Sequence, residues 1–282
     1  MRRLIVNADD FGLTDGINRA VADLHRSRAL TSATLMAAAP RFSEAVALAR
    51  PLASLGVGCH VVLVDGLPVS DPTAIPSLVD GGERFRPTLG GFVRDLYLGR
   101  IHRADIEREA SAQIQKLQRA GIHVTHIDTH KHTHMFPAVL DAVTRAANHC
   151  GVRAIRNPFE PAWSVAATPE AGTTRRIQVQ LLRRFLRGFR RVVEQRQLAT
   201  TDGCVGVLAT GSLDQATLAS LLHRLPEGTW ELVCHPAYLD DELRATRTRL
   251  QDSREIERNA LLTLPERLAN ESIQTAHFGQ LA

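Results

Sequence analysis

The stretch RLIVNADDFG, residues 3–12, decides how the rest of the chain is read. A short apolar run that reads as a β-strand ends in two adjacent aspartates and a glycine, and a helical pattern from Asp15 to Arg28 follows at once. Working outward, the same alternation returns. TSATLMAA (31–38) precedes a helix at Ser43 to Arg50, and LGVGCHVVL (55–63) follows it. A Pro/Gly-rich insertion at about 65–91 interrupts the order. A helix at Ala104 to Ala120 then leads into HVTHIDTH (123–130), a helix at Pro137 to Cys150 and VRAIRNP (152–158). Beyond a basic helical segment at about 173–197 come CVGVLAT (204–210), a helix at Leu213 to Arg224 and WELVCHP (230–236). A helix at Ser253 to Ala269 and a final strand SIQTAHF (272–278) complete the pattern.

Repeated β-α units of this kind predict an α/β protein with a parallel sheet, open and doubly wound or closed as a barrel. In both architectures functional groups gather at the carboxyl ends of strands, where βα loops converge. Asp9 and Asp10, His60, His130, Arg156 and His235 each end a different predicted strand. An open sheet has its crevice mainly at one switch point, so this spread favours a single-domain, TIM-like (β/α) barrel over residues 1–282.

Composition narrows the function. The chain has 282 residues, 44% of them apolar, enough to bury a large core and to exclude disorder. Its net charge of +4 is small and much of it lies in one segment, so nucleic acid is not an expected partner. Cys59, Cys150, Cys204 and Cys234 are too far apart for a CxxC motif and read as reduced thiols of a cytoplasmic protein. The N-terminal apolar run is short and acidic residues follow it, so no signal peptide is expected, and no stretch is long enough to span a bilayer. Neither a GxGxxG nor a Walker A pattern opens the first helix.

The chemistry-bearing groups point to a metal. In HIDTHKHTH (126–134), His126, Asp128, His130, His132 and His134 recur at every second position, which on a strand would give them one face. A carboxylate with two imidazoles is a common ligand set of mononuclear hydrolases. Asp9 and Asp10 could divide the work, one carboxylate on a metal and one taking a proton, although a bare pair of aspartates equally suits an Asx turn. His60 ends an apolar strand, where a lone histidine is more often a core residue. Spacing does not separate His130 from His132 as the ligand. His132 and His134 also suit substrate contacts or helix caps, and Asp128 suits an orienting role towards an imidazole. His235, before Pro236, is placed as a general acid.

In combination, LIVNADDFGL, GVGCHVVL with DGLPV after it, THIDTHKHTHMFP and ELVCHPAY resemble the YdjC-like (ChbG-like) carbohydrate deacetylases, in order and over nearly the whole chain. VLVDGLPV, AIPSLVD and FRP look most similar to the hopanoid-biosynthesis-associated branch called HpnK. The resemblance implies an often irregular (β/α) barrel with one divalent metal, magnesium or zinc, with manganese, cobalt or nickel as alternatives. It implies Asp9 as catalytic base, Asp10, His60 and His130 as metal ligands and His235 as acid, with Arg156, His132 and Asp128 as candidate substrate contacts. Relatives often read DSHHH where this chain has DTHKH; a continuing strand period would point Lys131 away from the site.

The implied reaction is hydrolysis of the N-acetyl group of an amino sugar. The basic segment 175–196 has eight arginines against one glutamate, interleaved with apolar residues. It suits a barrel helix with solvated arginines, or contact with an anionic membrane. With the branch resemblance it favours a lipid-linked substrate, an N-acetylglucosaminyl hopanoid, handled at the inner membrane surface by a homo-oligomer. A soluble chito-oligosaccharide deacetylase would share every catalytic residue, and a non-enzymatic metal-binding protein would hold metal without turnover.

Overall fold

A computed structural model describes residues 1–168 and 171–281. It begins with the long strand β1 (Arg2–Phe11), helix α1 (Asp15–Arg26), β2 (Ser32–Leu35), α2 (Phe42–Ala49) and β3 (Gly56–Val61). Helices α3 (Leu89–Tyr97) and α4 (Arg103–Arg119) precede β4 (Ile127–Thr129) and α5 (Pro137–His149). Then come α6 (Ala162–Ala167), α7 (Thr173–Leu182), α8 (Leu186–Gln195), β5 (Gly203–Val205), α9 (Gln215–His223) and β6 (Gly228–Cys234). Helices α10 (Asp241–Ala245), α11 (Asp252–Leu261) and α12 (Leu264–Asn270) lead to the two-residue β7 (Gln274–Thr275).

All strand pairings between these elements are parallel, in the order β4-β3-β2-β1-β6-β5, with β7 beside the start of β1. Strands with helices on the outer side bury both faces, which is why β1 and β3 read as nearly unbroken apolar runs. Of the predicted TIM-like barrel, the structure bears out one α/β domain built on a curled parallel sheet. It does not show eight regular β-α units among the described residues. The predicted strand VRAIRNP is reduced to single parallel bridges from Ile155 to Ile127 and from Ala154 to Ala199.

Strand period sorts the side chains of β1. Leu4, Val6 and Ala8 join the large outer core, while Ile5 belongs to a small cluster with Ala154, Ala276 and Phe278. That leaves Asn7 and Asp9 on the Ile5 side of the strand, where the partners are polar. His126 is part of this inner filling: its ring stacks on Phe278 at 3.9 Å between centroids. A Cβ on Gly58 would stand 2.5 Å from that ring, so the plug depends on a glycine in β3.

Two helices differ from expectation for clear reasons. The predicted helix Ser253 to Ala269 is two, because Pro265 in the first turn of α12 has no N–H with which to continue α11. The basic segment is also two helices, α7 and α8, joined by a 3-10 turn at Arg183–Phe185. α8 buries Phe189 and Val193, whereas α7 leaves Ile177 and Leu181 more than half exposed. The 65–91 insertion is anchored to the body. Ile75, Leu78 and Phe85 are buried, and Glu109 of α4 accepts the Val69 and Ser70 N–H groups at 2.8 and 2.9 Å.

Candidate active site

The pair Asp9–Asp10 falls on a break in strand register between Ala8 and Phe11, and Asp10 adopts a left-handed backbone with φ 65°. Asp is one of the few side chains that tolerate this conformation. The bulge cancels the strand's alternation, so both carboxylates reach the same cluster of histidines. Asp10 Oδ1 lies 3.7 Å from His60 Nε2 and 3.5 Å from His130 Nδ1, and those two nitrogens are 3.3 Å apart.

These three residues could hold a divalent ion: their ligand atoms lie within 4.8 Å of one another. The orientation of His60 supports the fit. Its Nδ1 donates to Asp128 Oδ1 at 2.8 Å, which leaves Nε2 facing Asp10 and His130. Asp9, His60 and Asp128 form a second such group. There the donors are already spent, on Arg156 and on the His60–Asp128 bond, so the first group is the better cation site. Burial pushes the His60 imidazole down, but Asp128, Asp9 and Asp10 outweigh it and raise its pKa to about 9. A cation therefore has a proton to displace.

Behind the cluster lies Arg156, with no exposed surface. It donates to both oxygens of Asp9, at 2.9 and 2.6 Å, and to Glu231 at 2.8 Å, and it pairs with Asp128. Asn7 and Thr34 donate to Asp9 as well, at 3.0 and 3.2 Å. Burial would raise the Asp9 carboxyl, but Arg156 outweighs it and holds the group well below the usual carboxylate range. Glu231 is different: burial dominates and lifts it to about 7. Asp10 Oδ2 accepts from Arg254, a buried arginine of α11 that, with His130, keeps Asp10 low against burial.

His235 brings its Nε2 to 3.9 Å from Asp9 Oδ2. Its backbone N–H donates to Glu257 Oε2 at 2.6 Å, and the same oxygen lies 3.7 Å from Nδ1. The side chain is 11% exposed, so the imidazole stands at the rim of the cluster.

The structure brings together Asp9, Asp10, His60, His130 and His235 from four strand ends. It divides the histidine run differently from the expected alternation. β4 stops at Thr129, and a 3-10 segment with Lys131 and His132 in left-handed conformations takes over, ending the strand period. The continuing strand period expected for Lys131 is therefore absent; its Nζ pairs with Asp65 Oδ2 at 2.8 Å, and with His132 it lines a cavity. His134 is buried, bonded to Thr129 Oγ1 at 2.7 Å and to the Arg156 carbonyl. Arg156 and Asp128, expected as substrate contacts, have no exposed surface; Arg156 is bonded to Asp9, and Asp128 to the His60 imidazole, in line with the orienting place also expected for it.

Arg254, Glu257 and Glu231 were not singled out in the sequence. The signals were there: Arg254, Glu257 and Leu261 share one face of α11, and Glu231 interrupts an otherwise apolar strand.

Fold and site together define a parallel-sheet α/β protein with a buried carboxylate–histidine centre at the carboxyl ends of its strands. The chain belongs to the YdjC-like protein family, whose model matches residues 3–266. It is similar to a carbohydrate deacetylase of Brevibacillus brevis, 32% identical over 99% of both chains. A chitooligosaccharide deacetylase of Salmonella paratyphi C is 31% identical over 86% of this chain and 84% of its own. Among solved structures, a proposed cellobiose-phosphate cleavage protein from Enterococcus faecalis V583 superposes with a TM-score of 0.80 at 24% identity, covering 100% of this chain and 99% of that one, which supports the fold. The HpnK branch is not distinguished by these relatives.

Proposed function

We propose that this protein is a metal-dependent carbohydrate deacetylase that hydrolyses the N-acetyl group of an amino sugar to acetate and the free amine. The observation that carries the reading is the juxtaposition of Asp9 and His235, 3.9 Å apart, beside the Asp10–His60–His130 donor set. An amide needs a base for the incoming water and an acid for the departing nitrogen, on one scissile bond. The curated relatives named as carbohydrate and chitooligosaccharide deacetylases agree with it.

A divalent cation on Asp10, His60 and His130, magnesium or zinc, with manganese, cobalt or nickel as alternatives, would polarise the acetyl carbonyl. Asp9 takes the proton of the attacking water. Arg156 keeps that carboxylate ionised at the expense of basicity, so the proton passes on instead of staying. His235 delivers a proton to the amine as the C–N bond breaks, with its backbone fixed by Glu257. Asp128 holds the His60 ring, and Arg254 holds Asp10. We infer further that the site lies at the mouth of an irregular TIM-like barrel, with the bridges through Ile155 and Ala199 continuing the sheet beyond β4.

For the substrate we favour an N-acetylglucosaminyl hopanoid, bound from the cytoplasmic face of the membrane. Two features support this: the resemblance of VLVDGLPV, AIPSLVD and FRP to the hopanoid-associated branch, and the exposed Ile177 and Leu181 on a helix bearing arginines. The second reading is a soluble chito-oligosaccharide deacetylase, favoured by the Salmonella relatives. Acetate release from N-acetylglucosaminyl bacteriohopanetetrol and from N,N′-diacetylchitobiose, with metal supplied and Asp9→Asn as blank, separates them. Metal content tests the division of roles: Asp9→Asn should retain metal and lose turnover, and His130→Ala should lose metal. Equal metal loss in both variants would refute that division.

A further inference from the structure

Beside the carboxylate–histidine centre, on the side of Lys131 and His132, lies a cavity of about 140 Å³. Its apolar lining comes from Met135, Phe159, Val179, Leu182 and Val207. The charged groups on its wall are already engaged. Arg175 donates to the Thr210 and Val207 carbonyls at 2.8 and 2.7 Å, and Lys131 is held by Asp65. Glu160 accepts from the Leu208 N–H at 2.5 Å and from Ser164 Oγ at 3.0 Å.

What remains for a ligand is an apolar surface and very few hydrogen-bonding groups. These are His132, whose buried Nδ1 has no partner among the described residues, and the amide of Gln178. A second sugar ring presents several hydroxyls, each of which loses water on entry and needs a partner in return. Such a ring is poorly served here, whereas an alkyl or alicyclic group gains from burial.

We propose that this cavity is a subsite for an apolar group carried by the substrate beyond its amino sugar. His132, on the cavity wall, lies within electrostatic reach of Arg156, Asp9, His235 and His60, which places the cavity beside the reacting centre. Helix α7 forms its outer wall with Val179 and Leu182, and presents Ile177 and Leu181 to the exterior. A group leaving a lipid surface along α7 would exchange one apolar contact for another. The proposal rests on the deacetylase reading above and names the class of substrate that site selects: amino sugars with an apolar aglycone.

The test compares methyl and octyl N-acetyl-β-D-glucosaminide, with the octyl compound kept below its micelle concentration. Calorimetric binding is measured on Asp9→Asn protein, and acetate release on the unaltered protein supplied with metal. The octyl glycoside should bind about tenfold more tightly or better. Leu182→Asp or Val179→Asp should abolish that preference and leave the methyl glycoside's turnover unchanged, which also shows that the variants fold. Equal affinities for the two glycosides, or a preference that survives both substitutions, overturn the subsite. Substitution-sensitive octyl binding without acetate release keeps the subsite and removes the deacetylase reading. Acetate release without any octyl preference does the reverse.

Discussion

Replacing Arg156 with methionine keeps much of the side chain's volume and removes the one guanidinium that Asp9, Asp128 and Glu231 share. Arg156 has no exposed surface, so water cannot take over its role. Breaking a buried ion pair from one side costs about 3–5 kcal/mol, because the partner charge is left uncompensated. Unfolding entropy of roughly 2 cal/mol/K per residue, over a chain of this size, converts a loss of ~4 kcal/mol into a fall in Tm of roughly 7 °C.

The loss must depend on pH, and its sign follows from Asp9. In the native protein its pKa is depressed, so its contribution is present above the unfolded value and is lost as pH falls through the folded one. In Arg156→Met the same buried carboxyl has lost its main counter-charge, so it is protonated without penalty at low pH and becomes costly as pH rises. The gap between the two proteins should therefore widen from pH 4.5 to pH 8. Thermal unfolding followed by circular dichroism in EDTA, at both pH values, measures it. A gap below about 1 kcal/mol, or one equal at the two pH values, would refute the assignment of Arg156 as the electrostatic support of the site.

Other expectations are checked more simply. Gly58→Ala drives a methyl into the His126 ring against Phe278 and should cost about 1–3 kcal/mol in denaturant unfolding; an unchanged midpoint would mean that the plug yields freely. Burial raises the Glu160 carboxyl to about 7, so its charge costs nothing below the unfolded value and up to about 3 kcal/mol once pH passes 7. Glu160→Gln should thus gain in Tm relative to the native protein between pH 5 and pH 8, and a pH-independent difference would exclude this carboxyl as the cause. Changing Arg183, Arg184, Arg187 and Arg190 together to Gln should reduce co-sedimentation with anionic vesicles. Unaltered sedimentation would count against membrane contact through α7 and α8.

Much of the architecture was legible because period and position are local properties. An apolar run ending in Asp9 and Asp10, and the later runs ending in His60 and His235, mark strands whose carboxyl ends carry polar groups, whichever way the sheet is closed. Alternation correctly placed Asp128 on a strand with its neighbours, and it failed at Lys131, where a left-handed turn replaced the extended chain. The 65–91 insertion shows the same limit: its composition marks a loop, but its attachment depends on Glu109 of a helix well downstream in sequence.

By itself, then, the sequence determined the α/β order, the parallel sheet and which strand ends carry carboxylates and imidazoles. Only the tertiary structure decided how they act on each other. It bends β1 at Asp10 so that adjacent aspartates reach one cluster, buries Arg156 against Asp9 and Asp128 against His60, and brings Arg254 and Glu257 from α11 to Asp10 and His235. The reason is physical. A charged residue on a helix has the same local pattern whether it faces water or a buried carboxylate, and only the packing of elements hundreds of residues apart removes the water that distinguishes the two.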